Sequence, residues 1–196
     1  MWFEQIQRIA KLAQVRYQQG KLLVIAVDGC GGAGKSTLCH ALAAQIGPWA
    51  NPQVLKLDEF YRPLSAEQRS QLQQLQARAA YFNVEAFRHN VLRPLNGGLS
   101  AIYKPFHWLE GENDQAVELL PEGVLIVDGV FSFSKPLRDM NHLSIFVDTP
   151  LHVRKQRLLA RPQLDTEWVS HWQATESWHH QHEHTPTAVD FVLSGT

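Results

Sequence analysis

Residues 29–36 carry the pattern with the most direct chemical meaning in this sequence. They match G-x-x-x-x-G-K-[ST], in which glycines let the backbone curl so that successive N–H groups point at phosphate oxygens. Lys35 places a cation on the bound phosphates, and the Ser36 hydroxyl can ligate Mg²⁺. A buried strand is expected before this pattern and a helix after it, over residues 37–46, as the motif requires. We assign the phosphate contacts to Gly29, Gly31, Gly32, Ala33, Gly34, Lys35, Ser36 and Thr37.

Two aspartates follow apolar runs further along the chain, Asp58 after residues 53–57 and Asp128 after residues 124–127. Residues just past the carboxyl ends of parallel strands line the ligand crevice of an open sheet. Asp128 stands where an acid would hold Mg²⁺ through water, together with Ser36. Asp58 can accept a proton from an attacking hydroxyl. Each has a turn or helix-cap role as its alternative, and which acid serves the metal is left open.

The elements that must position these residues follow from the apolar pattern, which predicts an α/β fold. β-rich runs occupy residues 22–27, 53–57, 124–127, 143–147 and 188–193, with helical segments between most of them. Continuous apolar runs are typical of strands buried on both faces, so we expect a parallel sheet sandwiched by helices.

Local signals place the ends of several helices. An amphipathic pattern predicts a helix over residues 1–19, and Gly20 ends it. Ser65 and Gln68 have the spacing of a capping box, ahead of apolar residues at 72, 75 and 79. Thr149-Pro150 predicts an N-cap followed by a proline, and Asp165 is a candidate cap for a helix from 166 to about 181. Residues 65–121 interrupt the alternation of strands and helices, and we interpret them as an insertion that contributes substrate contacts.

Composition limits the class of protein. The 196 residues are 44% hydrophobic and 19% charged, enough for one domain with a sizeable core. A formal net charge of −1 supplies no bulk attraction to nucleic acid or anionic membranes. The longest apolar run is far shorter than the roughly 20 residues of a membrane span, and two cysteines make no disulfide framework. We therefore expect a cytoplasmic domain with a small-molecule substrate and no nucleic-acid or membrane partner.

Several of these segments together resemble the uridine kinase-like P-loop kinases. The resemblance is carried by residues 24–36, 57–63 and 124–131, with further similarity at 81–83, 91–95, 103–108, 145–150 and 188–193. Residues 57–63 read Leu-Asp-Glu-Phe-Tyr-Arg-Pro, and they narrow the phosphate-loop superfamily to these kinases. Coverage runs from about residue 22 to residue 193.

The resemblance implies a three-layer fold over residues 1–196 with a five-stranded parallel sheet in the order 2-3-1-4-5. It implies transfer of the ATP γ-phosphate to a substrate hydroxyl with Mg²⁺ present. Asp58 would be the general base, and Lys35 would act on the transferring phosphates. The segment 150–183 would be a lid, with Arg157 and Arg161 as its catalytic cations, whereas Arg154 is equally well explained as part of a solvated basic face. Substrate contacts would come from Tyr61, Arg62, Phe82, Asn83, Tyr103 and His107.

This sequence departs from the family pattern at two of those positions. Asn83 and His107 stand where nucleoside-specific members commonly have aspartates, and a neutral amide holds a diol less strongly than a carboxylate. The acceptor and any homo-oligomeric state are therefore left open. The alternatives are a phosphotransferase for a nucleoside monophosphate or vitamin precursor, and a nucleotide-binding regulatory protein without turnover. Cations for a substrate phosphate are available at Arg69, Arg78, Arg88, Arg93 and Lys104.

Residues 179–184 contain four histidines and one glutamate. Zinc or nickel binding is one interpretation, because imidazole suits both metals. The favoured interpretation is an exposed, mobile helix end near the lid.

Overall fold

Five parallel strands form the central sheet of the computed structural model, which describes residues 2–62, 64, 65, 67, 68, 71, 80–107, 111, 112, 115–161 and 166–196. The strands are β1 (Leu22–Asp28), β2 (Pro52–Lys56), β3 (Gly123–Asp128), β4 (Leu143–Asp148) and β5 (Phe191–Ser194). Their order is β2-β3-β1-β4-β5, and every pairing is parallel. The predicted fold class and strand order are confirmed.

Helices cover both faces of this sheet. The bounds are α1 (Phe3–Arg16), α2 (Lys35–Ile46), α3 (Val84–Phe87), α4 (Arg93–Asn96), α5 (Leu151–Leu159), α6 (Thr166–Glu183) and α7 (Thr185–Ala188). A π-helical turn, Arg88–Leu92, joins α3 to α4. On one face α1 and α2 pack an aliphatic core, and on the other face an aromatic-rich core lies beneath α3 and α4. All seven residues of β1 are buried between these cores, as its continuous apolar run predicts.

The chain between β2 and β3 carries the irregular part of the fold. A 3₁₀ turn, Leu57–Phe60, follows β2 directly. Beyond α4, two short antiparallel hairpins pair Ala101–Tyr103 with Val117–Leu119 and Phe106–His107 with Gly111–Glu112. These elements place Tyr61 and Phe82 beside Asp58 at the carboxyl-terminal edge of the sheet, next to the phosphate loop.

Some predicted boundaries need correction. The last strand begins only at Phe191, because Thr185–Ala188 is a short helix. Thr149 does not cap α5, whose N-cap is Pro150; the Thr149 hydroxyl instead donates to the Ala33 carbonyl at 2.9 Å. The capping box is confirmed by reciprocal bonds between Ser65 and Gln68, whereas Leu72, Leu75, Ala79 and Asp165 lie outside the described residues. In the described ranges, no helix combines the length and apolar character needed to span a bilayer.

Candidate active site

The phosphate loop between β1 and α2 adopts a conformation that only glycine permits at several positions. Gly29, Gly32 and Gly34 have φ angles of 139°, 76° and 107°. A Cβ atom on Gly29 would lie 2.5 Å from the Val147 carbonyl oxygen, so this position also has no room for a side chain. The Lys35 ammonium donates to the Cys30 carbonyl at 3.1 Å, a hydrogen bond that spans the loop. The predicted anion-binding loop is therefore present, with its glycines where backbone conformation requires them.

Asp28, at the end of β1, links the start of this loop to the segment that follows β3. Its carboxylate is fully buried and accepts the N–H groups of Gly29 at 2.6 Å, Phe131 at 2.9 Å and Phe133 at 2.9 Å. Phe131 has a φ angle of 75°, a left-handed conformation that costs free energy in a residue with a side chain. The sequence analysis did not single out Asp28, although its position at a strand end was the same signal that selected Asp58 and Asp128.

Glu176, on α6, reaches the phosphate loop from the opposite side. Its Oε1 accepts the Gly31 N–H at 2.8 Å, and its Oε2 lies 3.6 Å from the Arg154 guanidinium. Both side chains are buried, and Arg154 also donates to the Thr149 carbonyl at 2.9 Å. Burial raises the pKa of Glu176 to about 7, although Lys35, the Gly31 N–H and Arg154 favour the ionised form.

This buried pair decides the role of Arg154, which the sequence left open. Arg154 is not part of a solvated basic face, because it is 7% exposed and lies between α5 and α6. Glu176 was missed because it sits in the middle of a helix whose pattern predicts packing alone. No local signal identifies it.

A cleft of about 390 Å³ opens beside the phosphate loop, and we call it the Asp58 cleft. Its polar wall comes from Lys35 and Ser36 of α2, Lys56 of β2, Asp128 of β3, and two residues outside regular helices and strands, Asp58 and Arg161. Its apolar wall includes Tyr61, Phe82, Val130, Leu158 and Trp172. The structure therefore brings the phosphate loop and both sequence-predicted acids into one cavity.

Asp58 lies in the 3₁₀ turn after β2, and its carboxylate is accessible from the cleft. It forms no hydrogen bond or ion pair with any described residue. The pKa of this carboxyl lies above its ordinary range because the surrounding protein desolvates it, an effect that Asp128 reinforces and that Lys35 and Arg161 oppose. A carboxylate with an upward-shifted pKa and unused lone pairs can accept a proton from a bound hydroxyl.

Asp128 and Ser36 form the part of the cleft suited to a divalent cation. Asp128 is 5% exposed, and neither its carboxylate nor the Ser36 hydroxyl bonds to a described residue. Magnesium is usually held by one or two protein oxygens together with substrate phosphates and water, rather than by a full protein cage. This pair fits that requirement, whereas no group of three or more His, Cys, Asp or Glu side chains in the described ranges could hold a metal.

Aromatic rings form the wall of the cleft away from the phosphate loop. Tyr61 stacks on Tyr81 at a centroid distance of 5.7 Å and meets Phe82 edge-on at the same distance. Trp172 of α6 packs against Phe82 at 5.8 Å and against Phe131 at 5.9 Å. These contacts tie α6 to the aromatic-rich core.

Arg62, Asn83, Tyr103 and His107 are the predicted substrate contacts other than Tyr61 and Phe82. Arg62 is exposed and does not line the cleft, and the Asn83 side-chain oxygen caps α3 by accepting the Ala86 N–H at 3.2 Å. The Tyr103 hydroxyl donates to Glu59 at 2.5 Å. His107 is described through its backbone alone. These roles stay predictions.

A second cleft of about 660 Å³ lies on the other side of the phosphate loop, and we call it the Trp2 cleft. Its lining includes Trp2, Phe3, Ile6, Thr37, Ala41, Arg157 and Gly195. It shares Gly32, Lys35, Ser36 and Arg161 with the Asp58 cleft, so the two cavities meet at the phosphate-binding residues.

The two candidate lid cations differ in their bonding. The Arg157 guanidinium donates to the carbonyls of Gly32 at 3.2 Å and Gly195 at 3.1 Å. Arg161 is exposed, lines both clefts, and makes no side-chain hydrogen bond or ion pair in the described part of the chain. Of these two arginines, only Arg161 has a guanidinium without a bonding partner among the described residues.

The histidine-rich end of α6 is not exposed as a whole. His179 and His180 are 3% and 4% exposed, and their rings pack on Phe131 at 4.4 Å and on Phe146 at 5.0 Å. The expectation of an exposed helix end is wrong for these two residues, because α6 lies against the sheet there.

Comparison with known proteins agrees with this geometry. A family model described as "Phosphoribulokinase / Uridine kinase family" matches residues 24–166. Uridine-cytidine kinase B of Dictyostelium discoideum is 30% identical over 145 residues, which are 70% of this chain and 57% of that protein. The chain thus spans less than two thirds of that relative. A uridine kinase of Shewanella piezotolerans is 30% identical over 157 residues, 71% of this chain and 68% of that protein.

Solved structures of similar fold cover almost the whole chain. A protein described as a possible uridine kinase from Bacillus stearothermophilus superposes with a TM-score of 0.73 at 17% identity, covering 97% of each chain. D-glycerate 3-kinase of Cryptococcus neoformans has a TM-score of 0.60 at 13% identity, covering 97% of this chain and 93% of its own. At these identities the superpositions show the fold, and the sequence matches show the family. The chain belongs to the phosphoribulokinase/uridine kinase family of ATP-dependent P-loop kinases.

Proposed function

We propose that this protein transfers the γ-phosphoryl group of Mg·ATP to a hydroxyl group of a small molecule bound in the Asp58 cleft. The observation that carries the proposal is a pair of carboxylates, Asp58 and Asp128, that line one cavity with Lys35 and Ser36 and have no hydrogen-bond partner among the described residues. Protein carboxylates that serve the fold accept hydrogen bonds, as Asp28 does. Carboxylates left without partners at a phosphate loop are suited to a cation and to a reacting hydroxyl.

The phosphate-binding residues have separable roles in this reaction. Mg·ATP supplies the transferable phosphoryl group and the divalent charge. The backbone N–H groups of residues 29–37 and the Lys35 ammonium bind the phosphates and stabilise the negative charge that moves during transfer. Ser36 and Asp128 hold the cation beside them. Arg161 lines both clefts, has no partner among the described residues, and adds positive charge at the transferring group.

Asp58 aligns the acceptor hydroxyl and removes its proton. The loose transition state of phosphoryl transfer needs a nucleophile that is positioned first and deprotonated late. The raised pKa of Asp58 brings the carboxylate closer to the basicity at which proton transfer is efficient.

The acceptor that the site suits best is a nucleoside or a compound similar to it. Tyr61, Phe82 and Trp172 offer flat aromatic surface on which a base can stack. The two curated relatives described above are named for uridine and cytidine. We further propose that residues 65–121 supply the acceptor side, that residues 150–183 act as the lid, and that residues 1–196 form one kinase domain.

Measuring ADP release with Mg·ATP and a panel of acceptors tests the proposal. The panel contains uridine, cytidine, their monophosphates, sugars and glycerate, and a no-acceptor reaction gives the background ATPase rate. We expect ADP release that depends on one hydroxyl acceptor and falls roughly 10²-fold or more in Lys35→Ala. The same acceptor-dependent rate in Lys35→Ala, or no acceptor dependence across the panel with nucleotide bound, would contradict it.

A further inference from the structure

We propose that the base of the nucleotide donor binds against Trp2 and Phe3 in the Trp2 cleft, so that α1 completes a nucleotide site that the phosphate loop only begins. This inference rests on the proposed function and names the part of the chain that recognises the donor's base. The family match begins at residue 24, so α1 lies outside it. Phe3 is the first residue of α1, and Trp2 is its N-cap.

The shape of the Trp2 cleft matches a nucleotide that has one charged and one flat apolar end. Lys35, Ser36 and Thr37 line the part formed by the phosphate loop and the first turn of α2. Trp2, Phe3 and Ile6 line the part formed by α1. A volume of about 660 Å³ lies within the usual range for small-molecule sites.

The Trp2 ring is held in a defined position, as a stacking surface must be. Its indole N–H donates to the Ser194 carbonyl at the end of β5. On the other side, a Cβ atom on Gly34 would lie 3.1 Å from the Trp2 ring, so the ring packs directly on the phosphate loop. Ile9 and Ala13, buried about two and three turns after Trp2, anchor α1 in the core.

Phe3 supplies apolar surface that the fold itself does not use. Its side chain is 66% exposed at the rim of the cleft, although a large aromatic ring is stabilised by burial. In the same cleft, the Arg157 guanidinium is tied to the Gly32 and Gly195 carbonyls. Aromatic rings and arginine planes are the surfaces on which bases stack, and each stacked base contributes about 1–3 kcal/mol to binding.

Isothermal titration with Mg·ADP and with Mg·tripolyphosphate separates recognition of the base from recognition of the phosphates. Phe3→Ala should weaken Mg·ADP binding at least about fivefold and leave tripolyphosphate affinity within about twofold of wild type. Trp2→Ala should do the same, and thermal denaturation reports whether it folds, with Trp2→Phe keeping a ring without the N–H. Val15→Ala is the matched control, because Val15 is a 76% exposed apolar residue of the same helix that does not line the cleft.

The outcomes distinguish this inference from the proposed function. If Phe3→Ala and folded Trp2→Ala bind Mg·ADP as wild type does, the base does not use α1, and the kinase proposal stands. Equal losses for both ligands would make α1 a support for the phosphate loop and would overturn the inference. Binding of neither ligand by the wild type would remove the proposed function and this inference together.

Discussion

Asp28 and Asp58 occupy comparable places at the carboxyl edge of the sheet but have opposite surroundings. Asp28, which ends β1, is fully buried and accepts three backbone N–H groups. Asp58, in the turn after β2, faces the Asp58 cleft without a hydrogen bond to a described residue. A carboxylate whose oxygens are all used by the backbone serves the fold, whereas one left without partners is available to a ligand. Strand-end position alone therefore does not distinguish a structural acid from a chemical one.

The charged side chains around the phosphate loop also fall into two groups according to their bonding. Glu176 and Arg154 are buried, paired with each other and bonded to backbone, and Arg157 is bonded to loop carbonyls. Lys56, Arg161, Asp58 and Asp128 line the cleft, and their side chains have no such partners in the described part of the chain. We therefore expect the first group to control the conformation and stability of the loop, and the second group to control turnover.

Replacing each aspartate by asparagine is the sharpest way to break this comparison. Asp58→Asn keeps the size of the side chain but removes the proton acceptor, so kcat should fall roughly 10²–10⁴-fold while ATP affinity stays within a few-fold. Asp28→Asn should instead lower the free energy of unfolding by about 2–4 kcal/mol, because an amide nitrogen cannot accept a buried N–H. Steady-state kinetics, ATP titration and urea denaturation of both variants check these expectations.

Two results would go against that assignment. Near-normal turnover in Asp58→Asn would move the base to another residue, with Asp128 or His107 next to test. Loss of Mg²⁺-dependent ATP binding in Asp58→Asn would make Asp58 part of the metal site instead.

The two lid arginines should differ in the kinetic constant that they control. Arg161→Ala should lower kcat by about 10²-fold with a smaller change in KM for ATP, because its unpaired charge is free to act on the transition state. Arg157→Ala should act more on KM for ATP, since its guanidinium holds the Gly32 and Gly195 carbonyls. The sequence predicts a transition-state role for both, so equal kcat losses with unchanged KM would favour that interpretation.

Glu176 should make the free energy of unfolding depend on pH. Its pKa is raised from 4.5 to about 7, so the folded state binds a proton more tightly than the unfolded state does. The associated stability is complete below about pH 4.5 and is lost as the pH rises through about 7. Relative to Glu176→Gln, which lacks this titration, the wild-type free energy of unfolding should fall by up to about 3 kcal/mol between about pH 5 and pH 8.

Urea denaturation of wild type and Glu176→Gln across that pH range measures the difference directly. Every other titrating group is common to the two proteins, so the change in the difference belongs to Glu176 and its partners. A difference that stays constant with pH would contradict the raised pKa of Glu176.

The amino-acid sequence by itself determines the phosphate loop, the strands of the sheet and the presence of Asp58 and Asp128 at its edge. Each of these depends on neighbours in the chain: glycines fix the loop backbone, continuous apolar runs fix buried strands, and an acid after a strand lies at the crevice. A conformation set by local residues leaves a pattern that can be recognised before any folding is known. Residues 24–166 carry enough of that pattern to show the family.

Tertiary structure alone decides which of the other residues join the site. Glu176 contacts Gly31 across 145 residues of sequence, and Trp2 reaches Ser194 across 192. Asn83, an expected substrate contact, instead caps α3 with its side-chain oxygen. These arrangements arise when α1 and α6 pack their apolar faces on the sheet. Neither helix has a local sequence pattern that identifies which of its residues will contact the phosphate loop. Packing brings distant side chains together according to shape and burial, which no short stretch of sequence encodes.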